Sequence, residues 1–390
     1  MIFTSEGTLI MANISTRRRA LRTAGAVVGL ALTVAACGSS SKGSDTTTTT
    51  KVADTAATTT KAADTTTTTA AAEKLPATTL NSSGATFPQA FYQEAIKAFA
   101  TDQPDVTINY AGGGSGKGQT DLQGGLVAFA GSDGLPKPED AAKYTGGKVL
   151  YFPTVAAPIT VSYNLDGVDK LNLSPDTLAG IFQKTITKWD DAAIKADNPD
   201  AKLPSVDIVV AVRQDSSGTT GNFTKYLAAA TKLFTLAPGK DVKWPDGVQK
   251  GAGNAGVAKL VKDTAGGIGY VDFSDAKATG LKFAAIKNKD GKFVAASLEG
   301  ASAALAGAEI KADLSYNPLN AAGADSYAIT APTWILVYET PKDAAQAKAT
   351  KAFIKFILSK GQVLAPTVDF APLPKALVDM ALAQLDGFAK

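Results

Sequence analysis

The sequence predicts an α/β fold. Three observations carry that expectation. Strand-type apolar runs alternate with helical patterns along the chain from about residue 90 to 358. The chain has 390 residues and is 45% hydrophobic, enough for two domains once a leader and a linker are set aside. The stretch Ala211 to Thr220 puts an Arg, an Asp and a hydroxyl-rich turn between the apolar run Val206–Val210 and a helical pattern from Gly221 to Leu233.

Composition excludes several functions. The formal net charge is +3, but residues 1–36 hold four Arg and one Glu, so the remainder carries 35 basic and 35 acidic residues. That balance gives no electrostatic case for nucleic acid. No His is present, which excludes a Ser-His-Asp triad, a Cys-His dyad and any His-ligated metal. The single Cys, Cys37, excludes an intrachain disulfide. A phosphatase or hydrolase using Ser217 would need a Lys or Asp base, and the motif places no Lys near it, so the expectation is a non-enzyme, with no cofactor and no metal.

Arg17-Arg18-Arg19 and Arg22 precede an apolar run, Ala24 to Ala36, of 13 residues. This is too short to span a bilayer and suits the apolar core of a signal peptide. The run ends in Val34-Ala35-Ala36-Cys37-Gly38, which resembles a bacterial lipobox. Residues 1–36 therefore read as a lipoprotein signal peptide, and Cys37 as the lipidated, palmitate-bearing residue that anchors the chain to the cell membrane. A plain signal peptide with an incidental Cys is the alternative. Residues 37–78 are mostly Thr, Ala, Ser, Lys and Asp with no aromatic residue, so they read as a disordered tether.

In the first folded stretch, Pro88 suits a first helical turn, with Phe91, Ile96 and Phe99 as a rough apolar stripe. Val106, Ile108 and Tyr110 alternate as a strand. Gly112 to Gly118 is a glycine-rich turn, with Ser115 inside it. It is not a P-loop, because Ala111 and Gly118 stand where that motif needs Gly and Ser or Thr. It is either a flexible loop or a turn that brings N–H groups and Ser115 to an anion. Val127 to Asp133 reads as a short strand ending at an acid.

Further on, Ser174 and Pro175 mark the N-cap and first turn of a helix to Phe182. Ile186 to Ile194 carries a short helical pattern, with Trp189 expected in the core. The turn from Arg213 to Thr219 is either an ordinary strand–turn–helix connection with a Ser/Thr cap or an anion site at a helix N-terminus. Gly256–Val261 reads as a helix, Gly267–Phe273 as a strand, Ala301–Ala312 as a helix, Trp334–Val337 as a strand and Ala344–Leu358 as a helix.

Gly84 to Pro88, Tyr110 to Ser115, Phe129 to Asp133, Phe152 to Val155 and Arg213 to Thr219 resemble the periplasmic phosphate-binding proteins (PstS) of bacterial phosphate ABC transporters. So do Lys243-Trp244-Pro245, Gly251 to Gly256, Gly267 to Val271 and Ala331 to Val337, in the family's order across residues 79–390. The resemblance implies a type II periplasmic binding protein fold with two lobes around a ligand cleft and two hinge crossovers. Residues 79–154 with 327–390 would form a discontinuous lobe I, and 155–326 lobe II.

The resemblance also implies site roles. Thr86 and Phe87 would donate at the start of the first helix, and Ser115 from the glycine-rich turn. Asp133 would accept from a protonated phosphate oxygen, Arg213 would supply the single charged donor, and Asp215 would orient it. Ser217, Gly218 and Thr219 would donate from a helix start. The implied protein is a monomeric, extracytoplasmic phosphate receptor serving a membrane permease and ATPase complex. The alternative ligand is another tetrahedral oxyanion such as sulfate, against which an ionised Asp133 places acceptor against acceptor, a mismatch that costs roughly 10⁴–10⁵-fold in sites built on hydrogen-bond matching.

Two positions depart from the family pattern. Gln214 replaces a usual Ala or Ser, and Ser216 a usual Gly. If that Gly sits at positive φ, Ser216 is strained or the turn shifts. The usual Asp-Phe-Gly-Ala-Ser-Asp run reads Ala128-Phe129-Ala130-Gly131-Ser132-Asp133, keeping its final acid.

Overall fold

The computed structural model describes residues 74–389; the stretches read above as a signal peptide and, up to residue 73, as a tether lie outside them, as does Cys37. At Lys74 the chain meets the end of the first helix, where its Nζ donates to the Asp102 carbonyl at 3.5 Å. Leu75 packs on the core, and its N–H donates to Gln103 Oε1 at 2.9 Å.

Strand β1 (Thr78–Gly84) runs up to helix α1 (Gln89–Asp102), which buries Phe91, Tyr92, Ala95 and Phe99. Strand β2 (Val106–Gly112) returns parallel to β1, with Val106 and Ile108 inward and Thr107 and Asn109 exposed. Helix α2 (Ser115–Gln123) follows, then β3 (Phe129–Ser132), parallel to β1 on its other side. The glycine-rich turn is thus shorter than the sequence suggests, and Ser115 opens a helix. Gly116 and Gly118 are poor helix formers, and packing overrides them. A Cβ on Gly118 would lie 2.7 Å from the Gly84 Cα, so α2 can approach β1 this closely only through glycine.

The 16-residue β4 (Val149–Asn164) joins two halves of one curled sheet. Its first part pairs with β12 (Thr330–Tyr338) and its second part, Ile159–Asn164, with β8 (Gly267–Asp272), both antiparallel. Between β4 and β8 come β5 (Asn172–Leu173), α3 (Pro175–Phe182), α4 (Ala192–Asp197), β6 (Val209–Arg213), α5 (Gly218–Ala230), β7 (Gln249–Gly251) and α6 (Gly253–Asp263). After β8 come α7 (Phe273–Thr279), β9 (Lys282–Phe283), β10 (Ala285–Lys287), β11 (Phe293–Val294) and α8 (Leu298–Ala306). After β12 the chain closes with α9 (Ala344–Leu358), α10 (Lys360–Leu364) and α11 (Lys375–Asp386).

The strand order is β2-β1-β3-β12-β4-β8-β6-β7, with β9 also on β4 and a small sheet β11-β10-β5 beside it. Strands β6, β7 and β8 are mutually parallel, as are β1, β2 and β3. Both faces of β6 are covered. Val210 and Val212 enter the main core, while Ala211 packs with Val257, Val261 and Val271 under α6.

Local chemistry explains the boundaries. Ser174 caps α3 as expected, its Oγ accepting from the Thr177 N–H at 3.4 Å. Trp189 is fully buried, and its Nε1 donates to the Gly266 carbonyl at 3.0 Å. Helix α5 begins three residues before the predicted Gly221, because Ser217 Oγ caps it by accepting from the Thr220 N–H at 3.1 Å. Helix α9 spans the predicted residues.

Candidate functional site

Parallel strands leave their carboxyl ends open where ligands bind in α/β sheets. Here the segments leaving β1, β2, β3, β6 and β7 meet at one seam. They carry Thr86, Ser115, Asp133, Arg213 to Thr219, and Asn254. The two halves of the sheet touch directly across it. The Gly116 N–H donates to the Ser216 carbonyl at 2.9 Å, and Asn222 Nδ2 donates to the Asp133 carbonyl at 2.7 Å. A Cβ on Gly218 would stand 2.6 Å from both Cβ and Oδ2 of Asp133, so only glycine lets the start of α5 come this close.

Arg213 ends β6, its side chain 1% exposed. It is the only Arg after residue 22 in the sequence. Its N–H donates to the Tyr270 hydroxyl at 3.1 Å, and that hydroxyl also meets Thr220 Oγ1 at 2.7 Å. Nε donates to Asp215 Oδ1 at 2.9 Å, Nη2 to Oδ2, and Nη1 to Thr219 Oγ1 at 3.3 Å. A guanidinium has five N–H groups, so two remain for a ligand. Burial works against the Asp215 carboxylate, but Arg213 and the Gly253 N–H, at 2.9 Å, outweigh it and hold its pKa below the ordinary value.

Asp133 follows β3 and is 2% exposed. Its Oδ1 accepts from Thr333 Oγ1 at 2.8 Å and its Oδ2 from Ser115 Oγ at 3.3 Å, while its N–H donates to Ser115 Oγ at 3.0 Å. Thr333 reaches it because β12 pairs antiparallel with β3, Trp334 opposite Ser132, which sets Thr333 opposite Asp133; β12 and β4 slip register at the same point, with Thr154 as the extra residue on β4. Burial pushes the Asp133 carboxyl up to about 7, against the opposing pull of Thr333, Arg213 and Ser115. A raised folded pKa means the folded state holds the proton more tightly than the unfolded chain. This group's contribution to stability is therefore complete below the ordinary carboxylate pKa and is lost as pH rises through about 7. Asp133→Asn is thus expected to raise the melting temperature of the ligand-free protein by about 5 °C at pH 8 and leave it unchanged at pH 4, measured by scanning calorimetry.

The structure brings together all the sequence-predicted residues of the folded body: Thr86, Phe87, Ser115, Asp133, Arg213, Asp215, Ser217, Gly218 and Thr219. Phe87 is fully buried, edge-on to Phe370 with ring centroids 5.9 Å apart, so only its backbone can serve a ligand. Cys37 lies outside the described residues. Ser216 is not among the described non-glycine residues at positive φ, so its replacement of glycine strains nothing; its Oγ donates to Asp241 at 2.7 Å.

The sequence reading missed Asn254, Thr333 and Asn222. Asn254 lay inside the quoted Gly251 to Gly256 run, and its position just after a strand was the available signal. A cavity of about 530 Å³ opens on the seam, bordered by Thr86, Gln89, Gly113, Asp215, Asn254 and Asp275. Among the described residues no group of three or more Asp, Glu, His or Cys could hold a metal ion, and no helix is long and apolar enough to cross a membrane.

Comparison with known proteins bears on this arrangement. Residues 54–360 match a family model described as a PBP superfamily domain. The phosphate-binding protein PstS of Xylella fastidiosa is 35% identical over 315 residues, covering 78% of this chain and 84% of the relative. PstS of Methanocaldococcus jannaschii is 37% identical over 317 residues, covering 74% and 81%. Among solved structures, a high-affinity periplasmic phosphate-binding protein bound with phosphate matches with TM-score 0.65 and 24% identity, over 78% of this chain and 93% of that one. A phosphate-binding protein from Stenotrophomonas maltophilia matches with TM-score 0.63 and 22% identity, over 80% and 94%.

Proposed function

The chain belongs to the PstS phosphate-binding protein family of the PBP superfamily, and from that premise we propose that it is an extracytoplasmic receptor that captures inorganic phosphate for an ABC transporter permease and its ATPase. The observation that carries the reading is the seam itself: one buried Arg, one buried carboxyl and a ring of neutral donors from both halves of the sheet. A buried anion needs each oxygen hydrogen-bonded. The two remaining N–H groups of Arg213 supply charge. The start of α5 supplies the N–H groups of Gly218 and Thr219, which no intrahelical carbonyl can take. Thr86, Ser217 and the backbone N–H groups of Phe87 and Ser115 complete the set. Asp133 takes the phosphate proton.

On this reading β4 and the segment entering β12 act as the hinge between a lobe of residues 79–154 with 327–390 and a lobe of 155–326. Phosphate closes the lobes, and the closed surface meets the permease. Cys37 carries the lipid that holds the monomer at the membrane. On this reading the site binds without catalysis: Ser217 Oγ accepts from the Thr220 N–H and bonds no base among the described residues.

Calorimetric titration of residues 74–390 with phosphate tests the proposal, after unfolding and dialysis strip bound ligand. Tight one-to-one binding at pH 8.5 that survives excess sulfate supports it. Displacement by sulfate at that pH indicates a general oxyanion carrier, and a folded sample that takes up neither anion overturns the reading.

A further inference from the structure

Asn254 sits at the start of α6, fully buried, and touches both halves of the sheet. Its Oδ1 accepts from the Asp272 backbone N–H at 3.3 Å. A backbone N–H can only donate, so this contact fixes which way the amide faces and turns Nδ2 toward the seam. There Nδ2 donates to Thr86 Oγ1 and to Thr219 Oγ1, each at 3.2 Å. The Asn254 backbone N–H adds a second bond to Thr86 Oγ1 at 3.4 Å, and Arg213 Nη1 a second to Thr219 Oγ1 at 3.3 Å.

A hydroxyl has two acceptor lone pairs and one proton. Both lone pairs of Thr86 Oγ1 and both of Thr219 Oγ1 are therefore taken. Each hydroxyl is left only as a donor, and neither proton has an acceptor among the described residues. One threonine follows β1, the other opens α5, so a single amide sets the polarity of donors from opposite halves of the sheet.

We propose that Asn254 is a positioning residue for the anion: without touching it, Asn254 fills the acceptor sides of Thr86 and Thr219 and so aims both hydroxyl protons at the ligand. The inference rests on the phosphate reading above. Its consequence is polarity selection. Oxygens that accept are matched at two points, while a ligand presenting a proton there meets two donors.

The test is a double-mutant cycle read by phosphate titration, with circular dichroism melts to establish folding. Asn254→Ala is expected to weaken phosphate binding by 30- to 100-fold, because both hydroxyls are freed to turn away. In a Thr86→Val, Thr219→Val background, the same Ala substitution is expected to cost less than 3-fold, since no hydroxyl remains to be aimed. Equal losses in both backgrounds would mean that Asn254 only packs, and would overturn the proposal. If Asn254→Ala does not fold, Asn254→Ser enters the same cycle and is judged by the same two numbers. Failure of the unaltered protein to bind phosphate would instead strike the functional reading, and is told apart by that control.

Discussion

Arg213→Met is expected to lower phosphate affinity by about 200- to 5,000-fold in calorimetric titration. The guanidinium is buried, supplies the site's only arginine charge, and has two N–H groups to spare after bonding Asp215 and Thr219. Removing it also leaves Asp215 with the Gly253 N–H but without its counter-ion, so a carboxylate then faces the incoming anion. Breaking a buried pair from one side costs about 3–5 kcal/mol, which is the range quoted. Arg213→Met with Asp215→Asn is therefore expected to bind better than Arg213→Met alone, because the stranded charge is gone. A loss below tenfold for the single variant would show that the neutral donors hold phosphate without Arg213.

Asp133→Asn is expected to erase most of the discrimination against sulfate at pH 8.5 and little of it at pH 5.5. The sequence motif suggested an acceptor that rejects sulfate at any neutral pH. The buried carboxyl modifies that picture, because its pKa is pushed up to about 7. Below that value Asp133 carries its own proton and can donate to a sulfate oxygen. Above it, sulfate must pull a proton onto Asp133 first, at a cost of about tenfold per pH unit. Phosphate brings the proton with it. Sulfate competition in the unaltered protein should thus weaken by roughly fifteenfold between pH 7 and pH 8.5, whereas in Asp133→Asn it should stay flat. A flat profile in the unaltered protein would remove Asp133 as the discriminator.

The parts of this molecule that were legible in the sequence are those where one residue type has one physical use. Ser174 before Pro175 could only be a helix start, and it is one. Arg213, Asp215 and the run to Thr219 lie within a single turn, so their cooperation shows in the linear order. Strand β1 was missed because Thr78–Gly84 is polar and short of branched apolar residues, and pairing on both sides makes it a strand. Helix α2 was missed because its glycines serve close packing, Gly118 against β1 and β3 and Gly116 against Ser216, rather than helix propensity. The partners of Thr333 and Asn254 were hidden for a further reason. Thr333 lies 200 positions from Asp133 and faces it across the antiparallel pairing of β12 with β3. Asn254 meets Thr86 across 168 positions of chain. No local pattern encodes either contact.

The point where the chain joins the folded body also decides how the receptor can be held. Thr78 begins β1 beside Asp105, at the amino ends of β1 and β2, whereas the anion seam lies past their carboxyl ends. Anything attached before Lys74 therefore joins the body at the strand ends that point away from the seam, and the point of attachment leaves the seam residues uncovered.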